Sequence, residues 1–218
     1  MKKYALLFLI TLVIQCVAVA QQPVPFENEI KAFEQQDQTT PPPKNPILFT
    51  GSSSIRLWES LKTDFPDKVV LNRGFGGSTL PDVIRFADRA IIPYKPKQVV
   101  IYVGENDVAS GKVTAQEVFD RFVTLFTAIR KPLPQTDIVF ISMKPSPSRR
   151  KYLSITQEAN ALIKNYIAKQ RRAQYLDIYS AMLDANGQIK GMYFRPDSLH
   201  MLPAGYALWT EKLKPLLK

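Results

Sequence analysis

The sequence predicts a three-layer α/β/α sandwich built on a five-stranded parallel sheet. Two observations carry this expectation. Five short apolar runs recur along the chain without the polar alternation of a half-exposed strand, so both faces of each are expected to be covered. Between them lie segments with apolar residues at helical spacing, and an alternating order of strands and helices packs best as a parallel sheet with helices on both sides. With 218 residues, 45% of them hydrophobic, the chain can bury one substantial core.

The chain opens with Lys2 and Lys3, then "YALLFLITLVI", then "CVAVAQQ". A basic start, an apolar stretch and the small residues Ala18 and Ala20 read as an export signal over residues 1–20, cleaved before Gln21. Polar sequence follows too soon to favour a spanning helix. Cys16 raises the alternative of a lipid-anchored cysteine, but Gln15 before it is larger than such sites prefer. Residues 21–45 read as a lead-in: a helical piece, "FENEIKAFEQQ", then "DQTTPPPKNP". Three successive prolines propagate neither a helix nor a central strand, so the domain proper is expected over 46–218.

The expected strands are "PILFT" (46–50), "KVVLN" (68–72), "QVVIYV" (98–103), "DIVFIS" (137–142) and "AQYLDI" (173–178). Among the helices, Thr114 and Glu117 make a capping-box signal, with Val113 placed to staple against Val118. Val118, Phe119, Phe122, Val123 and Phe126 then share one face. Ala159, Leu162, Ile163, Tyr166 and Ile167 form a second stripe. The segment 203–217, with Tyr206, Leu208, Trp209 and Leu213, is expected to cover the sheet as a final helix.

Composition narrows the chemistry. Cys16 is the only cysteine, so a chain cleaved after Ala20 has none. That excludes a disulfide framework, a cysteine nucleophile and a cysteine metal site. The net charge is +10, and without Lys2 and Lys3 it is +8, a balance suited to an anionic polysaccharide, an envelope surface or nucleic acid. The charges are scattered in pairs, as in "SRRK" and "RR" at 171–172, with no interleaved stacking aromatics, so a nucleic-acid partner is not expected. His200 is the single histidine, and any mechanism needing imidazole must use it.

Open parallel sheets bind ligands beyond the carboxyl ends of their strands. Three loops follow strands there: 51–54 (Gly-Ser-Ser-Ser), 74–79 (Gly-Phe-Gly-Gly-Ser-Thr) and 104–107 (Gly-Glu-Asn-Asp). Together they offer a hydroxyl, backbone able to point N–H groups inward, and a side-chain amide donor. "RPDSLH" adds a base: Asp197 precedes His200 by three residues, so one turn can hold the imidazole and orient its second nitrogen. Separately each piece has a plain structural explanation, as a turn, a tight loop, a helix cap or a structural His–Asp bond. Their combination at strand ends points to acyl transfer. The glycines are not a dinucleotide fingerprint, because Thr79 stands at the final glycine position, and no phosphate-binding G-x-x-x-x-G-K-[ST] run occurs. Nor is the serine run a G-x-S-x-G elbow, because Ile55 stands where the second glycine would be.

Over the domain from about Ile47 onward the chain resembles the SGNH hydrolases, or GDSL-like lipases and esterases, with four blocks in the family's order. "FTGSSSI" is similar to the first and implies Ser53 as nucleophile; "NRGFGGST" to the second, implying an oxyanion N–H at Gly77; "VGEND" to the third, implying an amide donor at Asn106; and "PDSLH" to the last, implying Asp197 and His200. The implied fold is flavodoxin-like. The implied site is a Ser53–His200–Asp197 triad with an oxyanion hole from Ser53, Gly77 and Asn106, needing no metal or organic cofactor. Ser52 departs from the family's usual Asp before the nucleophile, which leaves the bracing of that turn open.

The expected activity is hydrolysis of small-acyl esters, acetyl foremost, on a small molecule or a glycan. Export separates the enzyme from cytosolic acyl-thioesters, and no long insertion offers a lid for long acyl chains. The alternatives are a lipase or lysophospholipase, a catalytically silent glycan-binding protein on the same fold, and a basic nucleic-acid- or envelope-binding module. Arg73 and Arg195 adjoin the blocks, either as solvated surface arginines or as the rim of a mouth for an anionic substrate.

Overall fold

The computed structural model describes residues 24–218; the export signal expected over residues 1–20 lies outside the described residues. Five strands form one sheet: β1 (Ile47–Gly51), β2 (Val70–Gly74), β3 (Gln98–Tyr102), β4 (Asp137–Ile141) and β5 (Ala173–Leu176). Their order is β2-β1-β3-β4-β5 and every pairing is parallel. Each expected strand is present. The chain runs outward from β1 to β2, then crosses back to β3, so β1 lies at the point where the winding reverses and where ligands collect in open sheets.

The runs lack alternation because both faces are buried. Side chains on a strand point alternately to opposite faces. Leu48, Val99, Ile101, Ile138 and Phe140 join one core, and Ile47, Phe49, Val100, Tyr102, Val139 and Ile141 join the other. The first core is covered by α1 (Glu27–Thr39), α4 (Leu80–Arg85), α5 (Ala87–Ala90), α7 (Ala115–Arg130) and α8 (Leu153–Ile167), with α6 (Glu105–Ala109) at its margin. The second is covered by α2 (Ser53–Arg56), α3 (Leu61–Asp64) and α9 (Pro203–Leu213). Aromatic packing dominates this side, where the Trp58 ring lies 5.2 Å from Tyr206 and 5.9 Å from Trp209. Such contacts add about 0.5–1.5 kcal/mol each beyond the area they bury.

Local signals hold where they were read. Helix α7 starts on a capping box in which the Thr114 hydroxyl accepts from the Glu117 N–H and the Glu117 carboxylate accepts from the Thr114 N–H at 2.7 Å. Tyr206, Trp209 and Leu213 lie on the buried face of α9.

Helix α1 lies against the first core through Ile30, which is fully buried, and through charge on either side of it. Arg89 donates to Glu27 at 2.9 Å and to Glu34 at 2.7 Å. Arg73 is only 3% exposed and pairs with Asp37, its guanidinium over the rings of Phe33 and Tyr94. Arg73 is therefore not a solvated arginine: α1 gives it an acid, Asp37, and one ring, Phe33, and the turn after α5 gives it the second ring, Tyr94.

Candidate active site

The sheet register brings the three loops together. Gly51 is paired with Gly74 on one side and with Tyr102 on the other, so the segments after β1, β2 and β3 leave the sheet in one row. Two glycines make the close approach possible. Gly51 has φ +120°, and a Cβ there would lie 1.9 Å from the Tyr102 carbonyl oxygen; Gly104 has φ +115°, and a Cβ there would press on the Met143 sulfur at 2.8 Å. No other residue type fits these positions.

Ser53 is the first residue of α2, so its N–H has no carbonyl one turn earlier to receive it. The turn is braced without the acid that Ser52 replaces. The Ser52 N–H donates to the Tyr102 carbonyl at 2.9 Å, the Asn72 amide to the Ile55 carbonyl at 2.7 Å, and the Tyr206 hydroxyl to the Ser54 carbonyl at 3.0 Å.

His200 reaches this turn from the far end of the chain, 147 positions away, with Nε2 3.1 Å from the Ser53 hydroxyl oxygen. Its Nδ1 lies 2.7 Å from one oxygen of Asp197, whose other oxygen accepts the backbone N–H groups of Leu199 and His200 at 2.9 Å. An Asx turn thus holds acid and imidazole in one rigid unit, with Ser198 in the left-handed region at φ 59°. Since a carboxylate can only accept, Nδ1 carries the proton and Nε2 is left to accept from Ser53. The bond to His200, helped by the two N–H donors, holds the Asp197 carboxyl at about 2, below its ordinary value. The unit is anchored by the Arg195 N–H on the His200 carbonyl at 2.7 Å. Arg195 itself is half-buried and spends its Nε on the Met201 carbonyl at 3.1 Å, which makes it a brace of this turn.

Gly77 is exposed and faces Asn106: a Cβ on Gly77 would lie 3.8 Å from the Asn106 amide nitrogen. That nitrogen donates one hydrogen to the Ser78 carbonyl at 3.1 Å, which leaves its second hydrogen for a ligand. The glycine loop is pinned at both ends, by the Gly76 N–H on Glu29 at 2.8 Å and by the Leu80 N–H on Asp107 at 2.8 Å. Of the five residues singled out from the sequence, His200 joins Ser53 to Asp197, and Gly77 faces Asn106 on the loops that leave the neighbouring strands. The geometry suits a hydroxyl attacking a carbonyl whose oxygen turns toward Gly77, Asn106 and the Ser53 N–H.

Two structural roles were not visible in the sequence. Asp107, which a local turn would explain, instead holds Leu80, 27 positions away, and Arg121 at 2.8 Å. Its side chain is fully buried, and burial pushes its carboxyl up. Glu105 is also buried and pairs with Lys144. Two acids in the apolar run "VGENDVA", and a lysine directly after an apolar strand in "ISMKPS", were the available signals.

The profile of the GDSL-like lipase/acylhydrolase family matches residues 48–208. No curated protein matches the chain. Among solved structures, a GDSL-like lipase from Bacteroides thetaiotaomicron is 21% identical with a TM-score of 0.71, over 86% of this chain and 96% of that one. A lipase/acylhydrolase from Enterococcus faecalis is 22% identical with a TM-score of 0.64, over 79% and 96%. An acetyl-xylooligosaccharide esterase from Geobacillus is 16% identical with a TM-score of 0.63, over 78% and 94%. At these identities the likeness is one of fold.

Proposed function

Because this chain belongs to the GDSL-like lipase/acylhydrolase family, we propose that it is a serine esterase cleaving small-acyl esters, chiefly acetyl, with O-acetylated glycans as the substrate class. The observation that carries the reading is the continuous hydrogen-bond path from Ser53 through His200 to Asp197.

In this mechanism His200 Nε2 takes the Ser53 proton as the hydroxyl oxygen attacks the ester carbonyl. Asp197 keeps the imidazole in its reactive tautomer and stabilises the imidazolium that forms. Negative charge growing on the carbonyl oxygen is met by the N–H groups of Ser53 and Gly77 and by the Asn106 amide, each worth about 2.7–4 kcal/mol of barrier. The imidazolium then protonates the departing alcohol. Water, deprotonated by the same nitrogen, attacks the acyl-serine, and collapse of the second tetrahedral species returns the proton to Ser53.

Openness favours a short acyl group on a bulky alcohol: Gly77 is exposed, and the Asp197 side chain is 47% exposed. A cleft of about 410 Å³ lined by Phe33, Arg56, Trp58 and Arg73 runs beside the nucleophile helix and does not include Ser53 or His200. The Geobacillus neighbour's acetyl-xylooligosaccharide substrate is of the proposed kind. Export is part of the proposal and rests on residues 1–20 of the sequence; among the described residues no helix is long and apolar enough to cross a membrane.

The test is hydrolysis of p-nitrophenyl acetate, butyrate and octanoate by the chain from Gln21 and by its Ser53→Ala variant. The expected result is acetate turnover that falls with chain length and disappears in the variant. Turnover rising toward octanoate would replace the small-acyl reading with a lipase. Glycan binding with no turnover on any ester would replace it with a silent binding protein.

A further inference from the structure

Directly beneath the site lies a buried polar cluster that the proposed chemistry does not use. Glu105 is 5% exposed and Lys144 2% exposed, and Lys144 Nζ donates to Glu105 Oε2 at 2.5 Å. Glu105 also accepts the Tyr102 hydroxyl at 2.6 Å on the same oxygen and the Ser146 hydroxyl on the other. The remaining hydrogens of Lys144 reach the Tyr102 hydroxyl at 3.2 Å and the Ser54 hydroxyl at 3.4 Å. Every donor of the ammonium thus has an acceptor, and both carboxylate oxygens are occupied. Burial beside Glu105 pushes the Tyr102 phenol well above its ordinary value, which keeps it a donor.

The placement of these groups is informative. Ser54 follows Ser53, and Glu105 precedes Asn106. Tyr102 ends β3, while Lys144 and Ser146 follow β4. The cluster therefore joins the chain segments leaving three adjacent strands. The segment after β4 continues to the base, because the Ser148 N–H donates to the Ser198 carbonyl, between Asp197 and His200, at 3.0 Å. A buried ion pair is weak evidence of stability, since its desolvation offsets much of its attraction. Its value here is geometric.

Resting on the serine-esterase reading, we propose that the Glu105–Lys144 pair is a positioning device that fixes the Asn106 amide relative to the Ser53 turn, and so sets the depth of the oxyanion pocket. Lys144 holds the nucleophile side through Ser54, and Glu105 holds the amide side through the backbone it shares with Asn106. Transition-state charge stabilisation depends on donor placement to a fraction of an ångström, and a displacement of about 1 Å can cost about 10²-fold in rate.

The experiment is a double-mutant cycle on p-nitrophenyl acetate. The joint substitution Glu105→Gln with Lys144→Met keeps volume and leaves no buried charge unpaired. It is made in the wild-type chain and in Asn106→Ala, with thermal midpoint, kcat and KM measured for each. Tyr102→Phe, which removes one hydroxyl from the cluster, is the milder second variant. The expected result is a kcat loss of about 10²-fold with little change in KM, and almost no further loss once Asn106 is gone, because there is then no amide left to place. Tyr102→Phe gives a smaller loss of the same kind. An equal loss with and without Asn106 overturns the proposal, as does wild-type kcat in the joint variant. Ser53→Ala, run alongside, separates the two readings: turnover that it leaves intact sinks the esterase reading and this inference with it. Turnover that it abolishes, and that the joint substitution does not touch, sinks the positioning role alone.

Discussion

Two carboxylates, each paired with a nitrogen base, lie within a few residues of the same pocket and are built in opposite ways. The Asp197 and His200 side chains are 47% and 26% exposed, while those of Glu105 and Lys144 are 6% and 1% exposed. In the proposed mechanism the first pair gains and loses a proton in every cycle and admits a substrate alcohol, and it stands in the open on a turn. The second exchanges nothing and is sealed, with each oxygen and hydrogen committed to a partner. Asn106 makes the contrast sharper still. It is flanked in sequence by two buried acids, Glu105 and Asp107, both spent on the protein, whereas its own amide keeps a hydrogen for the ligand. On the proposed mechanism, the difference teaches that exposure at this site follows the traffic of protons, and that the groups which only hold position are buried.

The largest effect that would break the comparison is on the open pair. Asp197→Asn leaves the shape intact but offers Nδ1 a donor in place of an acceptor, so the wrong tautomer is favoured. Ester turnover is expected to fall about 10⁴-fold while the thermal midpoint hardly moves. A midpoint drop comparable to that of a core mutation would show that the exposed pair is structural after all. Next comes the sealed side. Asp107→Ala removes the acceptor of the Leu80 N–H, which stays buried. Arg121, with a side chain 35% exposed, recovers water. A cost of about 1–3 kcal/mol is expected, read in thermal melts at about 2–4 °C per kcal/mol. An unchanged melt would mean that this acid holds nothing.

The smallest effect is in acid, where the two aspartates should pull in opposite directions. Asp197 is held at about 2, against about 3.9 in the unfolded chain. The unfolded state binds more protons in that window, so its contribution is complete above about pH 3.9 and is lost as pH falls toward 2. Asp107 is raised by burial, so the folded state binds more protons, and its contribution declines as pH climbs from about 3.9 through the raised value. Denaturant titrations at a series of acid pH values, comparing the wild type with Asp197→Asn and with Asp107→Asn, should give difference slopes of opposite sign. Slopes of the same sign would erase the distinction.

What the sequence disclosed, and what it hid, divides along the same line. The five strands were legible because Val, Ile, Leu and Phe runs have one physical use in a chain of alternating elements. The loops at 51–54, 74–79 and 104–107 and the turn at 197–200 were legible because short-range chemistry writes itself in short motifs. The Glu105–Lys144 pair is 39 positions apart, and Asp107 reaches 27 positions back to Leu80. The charges in their apolar runs mark that something is buried there, but nothing local names the partner, which lies far along the chain. Arg73 was hidden for the same reason, its acid lying 36 positions earlier. Helix α1 was recognised as helical from 26–36, yet its polar composition gave no sign of where it docks. Ile30 is its one fully buried apolar side chain, and the rest of its attachment is shared between the partly buried rings of Phe26 and Phe33 and ion pairs to Arg89 and Arg73.

That helix also reaches the glycine loop. Glu29 receives the Gly76 N–H, and the Phe26 ring packs edge-on against Phe75 at 5.5 Å, so close that a Cβ on Gly76 would strike it at 2.3 Å. The loop that presents Gly77 is therefore shaped partly by residues lying ahead of the proline run, outside the span 48–208 that matches the family. Shuffled into a new protein from the first strand onward, the module would inherit Ser53, His200 and Asn106, and would leave behind the clasp on the loop that presents Gly77. As a heritable unit, this enzyme begins some twenty residues before its sheet does.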